Sequence, residues 1–399
     1  MPIPAPRLWL LILSGGLVLS IALGSRQAFG VLVGPYSALH AWPISTFAFV
    51  LAVQNLVWGA AQPFASAMAE EWGSHRVAVT GALLFALGLV MTATTANEWV
   101  LLVGSGVLVG VGLSATGFAL VLGVVGRAAP AQQRGTAMGV AGSIGSLGQM
   151  SLSPLLNVAI EGWGVEAAVL AMAALALCTA PVGLLLHDRR GASAAVFADR
   201  PGLGQTLADA WRHSGFRWLT LGFFVCGFQL AFIGIHLPGY LSTCAMPAAL
   251  GATALAVVGG FNMLGSLGCG VLAQRYRPKQ VLSLLYLLRG AAILLFLAVP
   301  VTTASTLAFA AAMGLMWLGT VPLTNALIAG VFGTRYMGTL FGIVFFSHQL
   351  GSFFGAWAGG VAFDLAGSYD AVWYLCAAMG ALAAAIHLPI KDAPLAAYA

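Results

Sequence analysis

Arg26 stands inside a membrane-length apolar stretch, and no Asp or Glu stands in the core of any such stretch of this chain. A guanidinium at bilayer depth is costly and faces a cavity or a partner. Its usual partner, a buried carboxylate, is missing from the sequence. The chemistry this predicts is capture of a small organic anion, with Arg26 replacing part of the anion's hydration in a low-dielectric surround. The competing reading is structural: an arginine snorkelling to the interface or binding helix carbonyls.

Other polar residues share the apolar stretches. Arg289 lies toward one end of its span, where a structural role or snorkelling competes with substrate contact. His348 and Gln349 stand near the middle of another. A protonated His348 adds positive charge and can carry a coupled proton, whereas a neutral one bonds a neighbouring helix. His236 precedes Pro238 and Gly239, so a helix break is expected beside it, and a gating or proton-coupling role competes with packing. Gln54, Asn55, Gln149, Gln229, Asn262 and Asn325 are intramembrane amides, each either lining a solute path or bridging helices at about 1 kcal/mol. Thr320 and Thr324 lie four apart around Pro322, on one face of a helix that the proline kinks.

What is missing narrows the classes. Cys178, Cys226, Cys244, Cys269 and Cys376 show no metal-ligand spacing and read as small apolar packing residues. No zinc ligand set, P-loop or nucleophile elbow occurs, so neither a metal, a cofactor nor an enzyme is expected. The formal net charge of +5 does not imply nucleic acid, because its placement on one side of a bilayer explains it better.

The elements that must position these side chains are membrane helices. The 399 residues are 60% hydrophobic and 7% charged, against about 25% charged in a soluble domain. Runs of about 20 apolar residues predict twelve transmembrane helices near 8–33, 45–69, 77–96, 99–126, 136–160, 165–186, 218–241, 248–273, 280–300, 304–332, 338–363 and 371–390. The first run has no cleavage site and reads as a retained helix. One long polar connection interrupts them. It divides the chain into an N-terminal six-helix bundle (1–186), a cytoplasmic connecting loop (187–217) and a C-terminal six-helix bundle (218–399). Within that loop, Leu203 to Trp218 is expected as an amphipathic helix on the membrane surface.

Charge supports the topology. With the N-terminus inside, Arg7, Arg76, Arg127, Arg134, Arg189, Arg190, Arg200, Arg212, Arg217, Arg275, Arg277, Lys279, Arg335 and Lys391 all fall on the cytoplasmic side. Glu98, Glu161, Glu166, Asp364 and Asp370 fall outside, as the positive-inside rule leads one to expect.

The halves repeat. Tyr36 and Tyr240, Pro43 and Pro247, and Ala69-Glu70 and Ala273-Gln274 match at an offset of 204. Gly135-Thr136-x-x-Gly139 with Gly148 matches Gly338-Thr339-x-x-Gly342 with Gly351 at 203. Such repeats place a binding site near the midplane, between the halves.

On these residues the whole chain resembles the major facilitator superfamily. The loop Ala69-Glu70-Glu71-Trp72-Gly73-Ser74-His75-Arg76 is similar to that family's cytoplasmic signature G-x-L-A-D-R-x-G-x-R/K. Gly270 to Lys279, with Arg275 and Lys279 as its basic residues, is a second copy. Gly24-Ser25-Arg26-Gln27-Ala28-Phe29-Gly30, Arg134 to Gly139, and Gly359 to Asp370 resemble the monocarboxylate transporter and oxalate/formate exchanger branch. In that branch a basic residue on the first helix engages the substrate carboxylate, and Arg26 holds the matching place. The branch often carries an Asp and an Arg four apart on the eighth helix, where this chain has Asn262 and Ser266.

The resemblance implies an all-α membrane protein of twelve helices in two six-helix pseudo-symmetric bundles. It implies a monomeric secondary transporter of the bacterial inner membrane, both termini cytoplasmic. The expected cargo is a small monocarboxylate, moved by rocker-switch alternating access, with proton coupling or anion exchange. Two alternatives remain: an efflux carrier for amphipathic compounds with an aromatic cavity (Trp58, Phe118, Phe261, Trp317), and a non-transporting sensor or interaction protein.

Overall fold

In the computed structural model of the chain, described residues cover 5–130, 133–187, 202–333 and 336–395, with the side chains of 5, 6, 70, 134 and 135 outside the description. All regular structure among them is helical. Twelve long helical segments run in chain order: α1 (Ala5–His40), α2 (Ile44–Trp72), α3 (Ser74–Thr94), α4 (Glu98–Ala128), α5 (Arg134–Trp163), α6 (Val165–Gly183), α7 (Ser214–Thr243), α8 (Ala248–Arg275), α9 (Pro278–Ala298), α10 (Thr303–Phe332), α11 (Met337–Ala366) and α12 (Asp370–His387). Eleven are long and apolar enough to cross a membrane. The remaining one, α5, has 30 residues but is diluted by glycine, serine and the amides Gln149 and Asn157. In lipid the backbone must satisfy itself, which is why apolar runs of this length become helices.

Helix ends depart from expectation where side chains hold them. α1 continues to His40 because Tyr36 is buried there, its ring stacked on Phe47 at 4.9 Å and its hydroxyl donating to the Thr92 carbonyl at 2.6 Å. The amphipathic segment is shorter than expected: a surface helix spans Leu203–Arg212, His213 breaks it in extended backbone, and α7 starts at Ser214. α4 contains a π-helical stretch, Leu102–Leu108, which no sequence signal announced. α10 breaks at Trp317–Gly319 and restarts at Thr320. Pro322 has no N–H to return to the Leu318 carbonyl, so the kink expected at the proline opens one turn earlier.

The internal repeat is written in the backbone. Ala41 and Ala245, 204 apart, are the two non-glycine residues of positive φ among those described (54° and 57°). Each is followed by the same bond: Trp42 N–H to the Ser37 carbonyl (2.9 Å) and Met246 N–H to the Leu241 carbonyl (3.0 Å). Pro43 and Pro247 then cap α2 and α8. Glycines repeat as contacts. Gly148 packs on the backbone of Ser20, and Gly351 packs on the backbone of Phe224.

Each half has its own apolar core. The halves meet where α1 crosses α7, α2 packs on α11, and α5 packs on α8. At the first crossing, Gly30 lies against the carbonyl of Gly234, its repeat partner; a Cβ at Gly30 would clash with that oxygen. One end of the bundle carries Arg76, Arg127, Arg275, Lys279 and Lys391 and is called here the basic face. The other carries Glu98, Glu161, Glu166, Asp364 and Asp370 and is the acidic face. Toward the acidic face the halves touch closely: Gly360 of α11 meets the Ser45 backbone of α2. Toward the basic face, Gly142, Gly338 and Gly342 look into open space.

Candidate functional site

Arg26 lies 21 residues after the start of α1 and 14 before its end, about 32 and 21 Å along the axis at 1.5 Å per residue. Because α1 reaches His40, the guanidinium stands closer to mid-height than a helix ending at 33 would put it. Its Nε and Nη2 both donate to Asn55 Oδ1, at 3.3 and 2.8 Å. Asn55 is aimed by its own amide, which donates to the Leu51 carbonyl at 2.8 Å. The guanidinium lies 5.1 Å from the Trp58 ring centre. Trp58 in turn donates to Gln62, and Gln62 to the Ser114 carbonyl, at 3.2 and 3.1 Å. Residues 51, 54, 55, 58 and 62 share one helical face of α2, so the helical repeat builds the cradle.

A guanidinium carries five N–H donors. Two of Arg26's are used, both on one amide oxygen. No described Asp or Glu pairs with it. Beside it lies a cavity of about 20 Å³, room for about one water. α1, α2, α7 and α10 wall this cavity, so it lies between the two halves. Arg26, Gln54 and Asn55 meet Leu230, Ile235 and Trp317 across it. Leu230 is the repeat partner of Arg26 at the offset of 204. The pseudo-twofold site thus carries its positive charge on one side only.

Gln27, next to Arg26, was not singled out from sequence. It belongs to the cavity wall and starts an inter-half network. Its amide donates to the Gln149 and Leu255 carbonyls, and Gln149 donates back to Gln27 Oε1 at 3.0 Å. Asn262 donates to Gln149 Oε1 at 3.1 Å and accepts the Leu318 N–H at 3.0 Å. Asn262 therefore holds the restart of α10 and does not line the cavity. The polar triplet Ser25-Arg26-Gln27 inside an apolar run was the signal that could have found Gln27.

The other expected residues lie elsewhere. His348 Nδ1 is 3.0 Å from Gln349 Oε1, and its ring stacks on Phe345 at 5.8 Å. Phe345 meets Trp58 edge-on at 5.4 Å and so stands between His348 and the Arg26 cradle. Gln349 packs on Gly59 of α2, with its Nε2 unpartnered. Gln229 donates to the Cys376 carbonyl of α12 at 2.8 Å. Asn325 bonds its own helix at Val321. His236 faces the Ala356 carbonyl at 2.7 Å through Nε2, and its α7 runs unbroken past Pro238. That contact makes Nε2 the donor. Of the aromatic set, Trp317 lines the cavity and Trp58 backs it through Arg26. Phe118 and Phe261 do not line it.

Arg289 is fully buried, not snorkelling. Its guanidinium donates to the Met316 and Trp317 carbonyls, freed at the α10 break, and to Cys226 Sγ at 3.2 Å. In the loop between α2 and α3, Gly73 adopts φ of 96°, a conformation that favours glycine. Glu70's side chain lies outside the described residues, and among those described Arg76 and Arg275 have no side-chain partner. Arg127 reaches Ser74 at 3.2 Å. In the second copy, Lys279 donates to the Ile390 carbonyl at 2.6 Å, and Arg277 pairs with Asp392 at 2.5 Å.

At the acidic face, the Asp364 carboxylate at the end of α11 accepts the backbone N–H groups of Ile44 (3.0 Å) and Ser45 (2.8 Å). These are unsatisfied donors at the positive end of α2. The bond ties the two halves together on that face.

Comparison with known proteins places this architecture. The profile described as Major Facilitator Superfamily matches residues 15–356 and 265–397. The chain is 25% identical to the MFS-type transporter YhjX of Escherichia coli (strain K12), with 86% of this chain and 85% of that protein covered. It is 24% identical to monocarboxylate transporter 13 of Bos taurus, covering 97% and 91%. To monocarboxylate transporter 11 of Homo sapiens it is 28% identical, covering 82% and 70%. Among solved structures, a bacterial homologue of the human lysosomal transporter Spinster superposes with a TM-score of 0.77 at 13% identity, covering 96% and 97%.

Proposed function

The chain belongs to the Major Facilitator Superfamily, and on that premise we propose that it carries a small organic anion, a monocarboxylate, by alternating access of its two halves. The observation that carries this reading is the state of Arg26. It lies between the halves, it keeps most of its donors free, and no described acid neutralises it. A carboxylate accepts two parallel N–H bonds from such a fork. Once neutralised, the guanidinium costs less to enclose when the halves close over it.

The single charge sets the valence. Leu230 occupies the place where a symmetric site would hold a second cation, so a second carboxylate on the cargo would meet leucine, isoleucine and tryptophan. The relatives named as monocarboxylate transporters agree with that valence. The cavity is too small for any such solute, so loading requires the halves to part. The contacts favour parting at the basic face, where Gly142, Gly338 and Gly342 look into open space, while Asp364 clasps α2 at the acidic face. By the positive-inside rule the basic face is cytoplasmic, which puts both termini inside. No carboxylate lines the site, so anion exchange needs no proton relay. A symport mode would move its proton on the cargo, on water or on a histidine.

The experiment is a ligand screen. Purified protein is heated with a panel of mono- and dicarboxylates, then the panel is repeated on Arg26→Ala. A monocarboxylate should raise the unfolding temperature of the wild type, and the shift should vanish in the variant. A shift of equal size in both would end the assignment.

A further inference from the structure

A second cavity, of about 570 Å³, lies at the basic face on the flank of the C-terminal half. It is lined by Trp211 and Arg212 at the end of the surface helix, by Arg217, Thr220 and Leu221 in the first turns of α7, and by Ser347 of α11. We propose that this cavity is a binding site for an anionic phospholipid, whose headgroup phosphate sits on Arg212 and Arg217.

The charge argument comes first. No described acid pairs with either arginine. Two guanidiniums converging on one cavity recognise a phosphate through paired N–H donors. They are brought together by the break at His213, which turns the surface helix away from α7. The surface helix is anchored through Thr206 and Ala210, which are buried one turn apart. That anchorage leaves Trp211 outward, 59% exposed, and tryptophan is a residue type enriched at membrane interfaces.

The hydroxyls refine the ligand. Thr220 donates to the Phe216 carbonyl at 2.8 Å, and Ser347 donates to the Thr220 carbonyl at 2.9 Å. Neither has a proton left for a phosphate. Each keeps acceptor capacity only, which suits a headgroup bearing its own O–H groups, such as glycerol.

An apolar seam between α7 and α11 adjoins the cavity, which favours a lipid over a free phosphate. Positions 217, 221 and 224 share one face of α7. On α11, positions 347 and 354 share a face, and Gly351 between them packs directly on the α7 backbone at Phe224. Below Leu221, next to the cavity's own lining, this seam carries Phe224 and Phe354, with the two rings 6.1 Å apart. Seven residues of helix span about 10 Å, enough for the upper part of an acyl chain. Cation above and hydrocarbon below is the profile of one phospholipid.

The site is independent of Arg26 and of the cargo. The full-length protein in mild detergent is titrated with phosphatidylglycerol, phosphatidylcholine and inorganic phosphate. Bound lipid is read by native mass spectrometry and stability by thermal midpoint. Phosphatidylglycerol should be retained one to one and raise the midpoint, with phosphatidylcholine and phosphate doing neither. The double variant Arg212→Gln, Arg217→Gln should weaken retention at least about tenfold, while Arg26→Ala retains the lipid as wild type does. Equal retention of phosphatidylcholine, a phosphate shift matching the lipid's, or an unchanged double variant would overturn the proposal. If the double variant does not fold, photoactivatable phosphatidylglycerol on the wild type decides: labelling should map to 217–224 and 347–354, and labelling confined elsewhere refutes the site.

Discussion

Arg26 is partly buried in one half and Arg289 fully buried in the other, each without a carboxylate partner among the described residues, yet their surroundings differ in kind. Arg289 gives its donors to two carbonyls and a thiol, on α10 and α7. Every one of those partners belongs to its own half. Arg26 gives two donors to one amide and turns the rest toward a cavity whose walls come from both halves. A rigid half that rocks keeps the first set of contacts and must change the second. The comparison teaches that a membrane arginine is read from what satisfies it: helix carbonyls make it a brace, and unspent donors leave it able to take a ligand.

The sharpest way to break this contrast is to remove each guanidinium and heat the protein. Arg289→Ala leaves the Met316 and Trp317 carbonyls unpaired in an apolar surround. Each orphaned group costs about 1–3 kcal/mol, so a loss of about 3 kcal/mol is expected. Arg26→Ala leaves a cavity that water can enter, and its stability should stay within about 1 kcal/mol of wild type. Unfolding curves of the two variants side by side check the difference. Equal losses would mean that Arg26 is a brace as well.

A smaller change tests what the free donors do. Arg26→Lys keeps the charge but replaces a planar fork with a point charge. It should weaken carboxylate binding roughly tenfold, the worth of one charge-assisted hydrogen bond. Full retention would show that charge alone suffices and that the orientation Asn55 gives the fork is not needed.

The two surroundings should also respond differently to rocking. Asp364→Asn removes the carboxylate that clasps the start of α2, a contact worth about 1 kcal/mol. Opening at the acidic face should then be favoured about fivefold. Maleimide labelling of Ser45→Cys reports it. Cys226, fully buried beside Arg289, should stay unreactive in the same sample, because its neighbours move together. Labelling of Cys226 in step with residue 45 would contradict the rigid half.

Much of this was legible in the chain. The helices and the repeat follow from apolar length and from the offset between the halves, which are local properties. What was not legible is where a side chain spends its hydrogen bonds. Asn262, Gln229 and Gln349 are all amides within spans, yet the first holds the α10 restart, the second ties α12, and the third packs on α2. Helical periodicity gives a face, but the partner across it depends on how helices cross. Arg289's role was hidden for a related reason. Its partners exist only because Pro322 opens α10 a turn before the proline, and the freed carbonyls lie 27 and 28 residues away in sequence.

A third arginine supplies the reference for a guanidinium that does have a carboxylate. Arg277 bonds Asp392 through Nε at 3.0 Å and Nη2 at 2.5 Å, outside the apolar spans. That bond holds the Asp392 carboxyl below its ordinary value of 3.8. The sign follows from linkage. A carboxylate whose folded value is depressed contributes stability that is present above its ordinary value and is lost as pH falls through the folded one. Asp392→Asn should therefore flatten the acid limb of the stability profile below about pH 4 and leave neutral pH almost unchanged, since water screens this exposed pair. Unfolding temperature against pH, with and without added salt, checks it. The effect should be the smallest of the four, and that ranking is itself the test. If the fully paired surface arginine mattered more than the brace at Arg289, then pairing with a carboxylate, and not burial with carbonyls, would decide what a guanidinium is worth in this fold.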